Sequence, residues 1–195
     1  MDPIQEDLQF YCLRIDGLFA DNPDIAPYCT RLKTLLVLRH AKSSWNNPAL
    51  GDHMRPLNTR GRRDAPRIGD LLREQRLTPD LIVSSDAVRA RLTAEAVAET
   101  ARYGGKILLD PNLYLASAAD IVAVLRAVGE NQTDRVMIVG HNPGLADLVA
   151  QLTGEPEDLP TAALAHVVLP IDQWRDLDAS TRGTLLMVWR PKDFR

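Results

Sequence analysis

From Lys33 onward, short apolar runs alternate with stretches whose apolar residues recur at helical spacing, and this alternation narrows the possible folds more than any other feature of the chain. Strands joined through helices are βαβ units, which assemble into a largely parallel sheet with helices on its faces. The expected fold class is therefore α/β: three layers, α/β/α, around a mostly parallel central sheet. Strand candidates are residues 34–38, 80–83, 135–139, 164–169 and 184–189, with a weaker run at 106–109. Ser117 and Asp120 stand at capping-box spacing ahead of Ile121, Val124, Leu125 and Val128, which follow at i, i+3, i+4 and i+7. Asn142 and Pro143 read as the cap and first residue of a second helix, carrying Leu145, Leu148, Val149 and Leu152 and stopped by Gly154. Ala90, Ala94, Val97, Ala98 and Ala101 give a small-residue face to a helix starting near Asp86. Another helix ends near Arg76, with Pro66 expected to break or kink it.

Residues 1–33 have a different texture, a mixed segment followed by the turn-rich Asp21, Asn22, Pro23, Asp24 and Pro27, and read as an N-terminal extension to a domain of residues 34–195. A chain of 195 residues can bury a core without metals or disulfides, and Cys12 and Cys29, the only cysteines, read as free thiols. The net charge of −3 offers no electrostatic argument for nucleic acid or an anionic membrane as partner. No apolar run approaches the roughly 20 residues that cross a bilayer, and the first ten residues lack the order of a secretory signal, so the cytoplasm is the expected location.

Three of the strands end in polar residues that a strand exit does not require. The first delivers Arg39 and His40, the second passes through Ser84 and Ser85 to Arg89, and the third delivers Gly140 and His141. In an open parallel sheet the carboxyl ends of the strands share one edge, where ligands bind, so these residues are expected to meet there. Two arginines and two histidines beside helix N-termini make an anion site, and the forked guanidinium matches phosphate oxygens. A metal site on His40 and His141 is the competing reading; the arginines would repel a divalent cation, and no Asp or Glu adjoins either histidine. No metal or cofactor is expected. Positive surroundings should hold His40 neutral, leaving a lone pair for attack on phosphorus, with Arg39, Arg89 and His141 stabilising the equatorial oxygens.

The stretch LRHAKSSWN (38–46) resembles the active-site signature of the histidine phosphatase, or phosphoglycerate mutase-like, superfamily. RARLTAE (89–95) and GHNP (140–143) are similar to two further motifs of that family in the same order, and RPLNTRG (55–61) and SDAVRA (85–90) are most similar to its compact SixA-type phosphohistidine phosphatases. The resemblance implies that His40 is phosphorylated during turnover, that Arg39, Arg89 and His141 hold the phosphate, and that Ser43 and Asn46 add contacts. Departures are Ala41 and Lys42 where many members have Gly and Glu, Leu92 for a frequent Gln, and Met54 where an acidic residue is common. The proton donor for the leaving group is not evident; Asp52 is the candidate, with Asp86 and His53 behind it. A phosphohistidine substrate relaxes that need, because its imidazole leaves well once protonated. The expected partner is thus a phosphorylated protein carrying phosphohistidine. The alternatives are a small phosphorylated substrate cleaved by a broad phosphomonoesterase, and a phosphate-binding regulatory module without turnover. His166, Arg91 and the Arg60, Arg62 and Arg63 cluster read as structural or solvated.

Overall fold

A computed structural model describes residues 32–128 and 133–193. Cys12, Cys29 and nearly all of the extension lie outside the described residues. Lys33, counted above with the extension, is the first residue of a strand.

Six strands form one sheet among the described residues: β1 (Lys33–Arg39), β2 (Leu81–Ser85), β3 (Ile107–Asp110), β4 (Arg135–Gly140), β5 (Leu164–Leu169) and β6 (Thr184–Trp189). Their order is β3-β2-β4-β1-β5-β6. β1, β4, β2 and β3 pair in parallel, β5 pairs antiparallel with β1, and β6 antiparallel with β5. Only β5 therefore runs against the others, and the sheet is largely parallel as expected. β1 is flanked on both sides and buried on both faces, which is why its sequence is an unbroken apolar run rather than an alternation.

Among the described residues four α-helices cover the faces: α1 (Thr59–Glu74), α2 (Val88–Thr100), α3 (Ala118–Val128) and α4 (Gly144–Thr153). Ile68 and Leu72 of α1 and Ala90, Ala94 and Val97 of α2 pack on Leu36, Leu38, Met137 and Val139. On the other side of the sheet, Ile121 and Leu125 of α3 and Leu145, Leu148 and Leu152 of α4 pack on Leu35, Val37, Val136 and Ile138. Three layers follow from the two-residue period of the central strands.

Two local expectations are corrected. α1 runs through Pro66 without ending. Asn58 caps its first turn by accepting from Gly61 N–H, its apolar face is buried, and the Pro66 carbonyl accepts from Thr100 Oγ at 2.7 Å, so tertiary contacts outweigh the missing proline donor. Asn142 does not cap α4: its Nδ2 donates to the Leu159 carbonyl, and the helix begins at Gly144. The capping box at Ser117 and Asp120 and the left-handed stop at Gly154 (φ 76°) are present as read.

Candidate active site

The register of β1 on β4 builds the centre of the site. Arg39 pairs with Gly140, and His40 N–H donates to the Gly140 carbonyl at 3.1 Å, so the next residue of each strand, His40 and His141, stand side by side. Their ring centroids are 5.0 Å apart. Arg89, in the first turn of α2, reaches between them. Thr93, one turn later, fixes that end of the helix: its hydroxyl donates to the Arg89 carbonyl at 2.6 Å and accepts from Ala41 N–H at 2.9 Å, tying α2 to the residue after His40.

Hydrogen bonding fixes the proton on each imidazole. His40 Nδ1 lies 2.8 Å from the Ala41 carbonyl, which can only accept, so Nδ1 carries the hydrogen. Its Nε2 is then a lone pair, 3.3 Å from Arg89 Nε–H. His141 Nδ1 lies 3.3 Å from Arg89 NH2, which can only donate, so here Nδ1 is the lone pair and Nε2–H donates to Ser85 Oγ at 3.0 Å. Both rings are almost wholly buried. Burial, more than the flanking charges of Arg89, Arg39 and Arg55, depresses His40 from 6.5 to about 4. Burial again, then His40 and Arg89, depresses His141 to about 3. The expected neutral His40 is thus found with a different leading cause: desolvation exceeds arginine repulsion.

Arg39 donates from NH1 to the Leu159 carbonyl at 2.8 Å, while its buried Nε has no partner. A buried donor left unsatisfied costs free energy, which an oxyanion would relieve. Arg89 is 2% exposed and heavily engaged: besides the imidazoles, NH1 donates to the Asp52 carbonyl at 2.7 Å and NH2 to Asp52 Oδ2 at 2.9 Å. Asp52 also accepts from Arg55 Nε and NH2 at 3.0 and 2.7 Å on Oδ1, and from the Tyr114 hydroxyl at 2.7 Å on Oδ2. Partial burial works the other way, yet the hydrogen bonds from Tyr114 and Arg55 and the charges of Arg89 and Arg55 bring Asp52 down from 3.8 to about 2. A carboxylate held in this way carries no proton to give near neutrality. The expectation that Asp52 is the general acid conflicts with this charge state; the geometry makes it the acceptor that orients Arg89, Arg55 and Tyr114.

Ser43 is buried, but its hydroxyl accepts from Arg55 NH1 at 2.6 Å. Asn46 is exposed on the loop after it, its N–H donating to Ser44 Oγ at 3.1 Å. The cluster therefore comprises His40, His141, Arg39 and Arg89, with Asp52 beside it, Ser43 one residue removed, and Asn46 outside. His53 and Asp86 pair at 2.8 Å at its margin. His166 stacks on Trp189 away from the site, Arg91 pairs with Glu95, and Arg60 and Arg63 with Asp64.

Sequence reasoning passed over Arg55, Tyr114 and the contact of Ser85. Arg55, which also stacks 3.6 Å over Trp45, opens the RPLNTRG motif, so a signal for it existed. Tyr114 packs edge-on against both His141 and His53. It follows β3, whose carboxyl end shares the catalytic edge, and that topology was its only herald.

The sequence profile of the histidine phosphatase superfamily (branch 1) matches residues 35–114. An uncharacterised protein of Mycobacterium tuberculosis is 32% identical over 154 residues, spanning 72% of this chain and 92% of that one. The SixA structure of Agrobacterium tumefaciens superposes with a TM-score of 0.70 at 30% identity, covering 82% of this chain and 98% of that one. A protein histidine phosphatase SixA complexed with tungstate superposes at 0.71 and 25% identity, covering 83% and 99%.

Proposed function

Since this chain belongs to the histidine phosphatase superfamily, in its SixA-type branch, we propose that it is a metal-independent phosphatase that removes the phosphoryl group from phosphohistidine in a protein through a covalent intermediate on His40. One observation carries the reading: His40 Nε2 is an unprotonated lone pair, held by the Nδ1–H bond to Ala41, with the guanidinium of Arg89 3.3 Å from it. Phosphate entering there meets a nucleophile and its counter-charge together.

In this reading Arg89 and the unsatisfied Nε of Arg39 take up the equatorial oxygens as His40 Nε2 attacks phosphorus in line. The substrate imidazole departs, and water then cleaves the phosphoenzyme. The ionised state of Asp52 favours phosphohistidine over alkyl esters, because an imidazole can leave after taking a proton directly from solvent whereas an alkoxide needs a donor in the site. Arg89 lies in the space between the two imidazoles that a cation ligated by both would need, which supports chemistry without a metal. A cytoplasmic setting fits such a substrate.

The test is brief incubation with a labelled phosphodonor, quenched at denaturing pH. Acid-labile, alkali-stable label is expected on the wild type and none on His40→Ala. Equal labelling of both proteins would remove His40 as acceptor. A substrate panel separates the finer claim, which fails if phosphohistidine is hydrolysed no faster than a matched alkyl phosphate.

A further inference from the structure

As it is hydrogen-bonded in this structure, His141 has nothing to offer a phosphate oxygen. Its one hydrogen sits on Nε2 and points at Ser85, and the nitrogen facing Arg89 is a lone pair that would repel an oxyanion. We propose that Ser85 is a positioning residue that lets His141 exchange tautomers: when phosphate takes up the Arg89 N–H, the His141 hydrogen moves to Nδ1 to bind a phosphoryl oxygen, and the Ser85 hydroxyl reverses from acceptor to donor toward Nε2.

This inference rests on the phosphate site proposed above and deepens it. The residue type is what permits the exchange. A hydroxyl both donates and accepts, so it can partner Nε2 in either state, whereas a carboxylate or carbonyl in its place would fix the hydrogen on Nε2 for good. Ser85 is fully buried at the end of β2, so water cannot substitute for it. Its oxygen also accepts from Ala87 N–H at 3.3 Å, a bond compatible with both orientations, so the side chain stays in place while only its proton turns. The neighbouring Ser84 is engaged elsewhere, donating to the Ser85 carbonyl at 2.9 Å. Protons balance: the ring gives one up at Nε2 and receives one at Nδ1, exchanged with water in a transient opening of the site as phosphate enters, so no net charge is taken up. Arg89 need not leave Asp52, since its NH2 uses separate hydrogens for Asp52 Oδ2 and His141 Nδ1.

The deciding experiment is nitrogen-15 NMR of the imidazoles in the full chain at neutral pH, before and after saturation with inorganic tungstate. His141 is expected to move from Nε2–H to Nδ1–H, while His40 keeps its hydrogen on Nδ1 throughout. Ser85→Ala should weaken tungstate binding about tenfold, and Ser85→Thr, which keeps the hydroxyl, should recover most of it. The proposal is overturned if bound tungstate leaves His141 as Nε2–H, if both its nitrogens become protonated, or if a folded Ser85→Ala binds as tightly as wild type. If tungstate perturbs neither imidazole, the phosphate site itself is wrong, a failure distinct from His40 responding while His141 does not. The wild-type spectra decide the matter even where the alanine variant does not fold.

Discussion

Arg89 makes contacts that a lysine cannot reproduce: Nε, NH1 and NH2 each reach a different acceptor within one rigid plane. Arg89→Lys is therefore expected to lower kcat/KM about 100-fold or more, while Arg91→Lys, altering an exposed pair with Glu95, changes it by less than about twofold. Similar losses in the two variants would mean that Arg89 does not touch the transferred group. Asp52→Asn keeps the shape and removes the charge; about a tenfold loss is expected, with the alkaline side of the pH profile unmoved, because Asp52 acts by holding Arg89 rather than by giving a proton. An alkaline limb that shifts in this variant would restore Asp52 as an acid. For His40, a value near 4 means the ring is neutral above about pH 5 and gains its proton only as pH falls through 4. An NMR titration showing His40 half-protonated near 6.5 would contradict that. The four central side chains were legible in sequence because each ends or follows a recognisable strand or lies in the first turn of a helix. The partner of each hydrogen was not, since tautomers depend on carbonyl and hydroxyl placement that no local pattern encodes.

At the level of elements, the site depends on close approaches that side chains would block. A Cβ at Gly61 would lie 2.2 Å from the Lys42 carbonyl oxygen, and one at Gly144 would lie 1.9 Å from that of Ala116. The first contact seats α1 on the loop after His40; the second seats α4 against the turn that follows Tyr114. Gly61→Ala is expected to cost about 1–3 kcal/mol in urea denaturation and to reduce turnover through displacement of Lys42 and its neighbours. An unchanged midpoint would show that the loop yields freely. Two of the four non-glycine residues with positive φ among the described residues lie here, Leu115 (φ 51°) just after Tyr114 and Ala162 (φ 61°), which donates its N–H to the Arg39 and His40 carbonyls; the others, Arg76 and Arg102, follow the ends of α1 and α2. Helix α1 illustrates the reach of sequence reasoning: its periodicity was readable, but its continuation through Pro66 was not, because the contacts that sustain it come from α2.

For the molecule as a whole, the mostly parallel sheet was readable from the alternation of strands and helices, but the direction of β5 was not. A strand, helix and strand in succession, as in β4, α4 and β5, imply a parallel pair. Residues 154–163 instead travel back along the sheet, so β5 starts beside the end of β1, with Leu164 opposite Leu38. Stability should carry the mark of buried neutral imidazoles. His40, His141 and His166 all lie below their ordinary 6.5, so the folded state binds fewer protons than the unfolded one, and stability is full above 6.5 and declines as pH falls toward about 4. Thermal melting should be level from about pH 7 to 8 and fall steadily from about 6.5 to 5, the slope easing in His166→Phe; a level curve down to about pH 5 would refute this. The reversed strand has one more consequence. Its approach carries Leu159, which accepts from Arg39, and Ala162, which donates to the Arg39 and His40 carbonyls, along the edge where the site is built. Residues spliced in ahead of Leu159 would lengthen that return beside the site without cutting any crossover, so the surroundings of the two imidazoles can vary through one connection while the strands that hold them stay as they are.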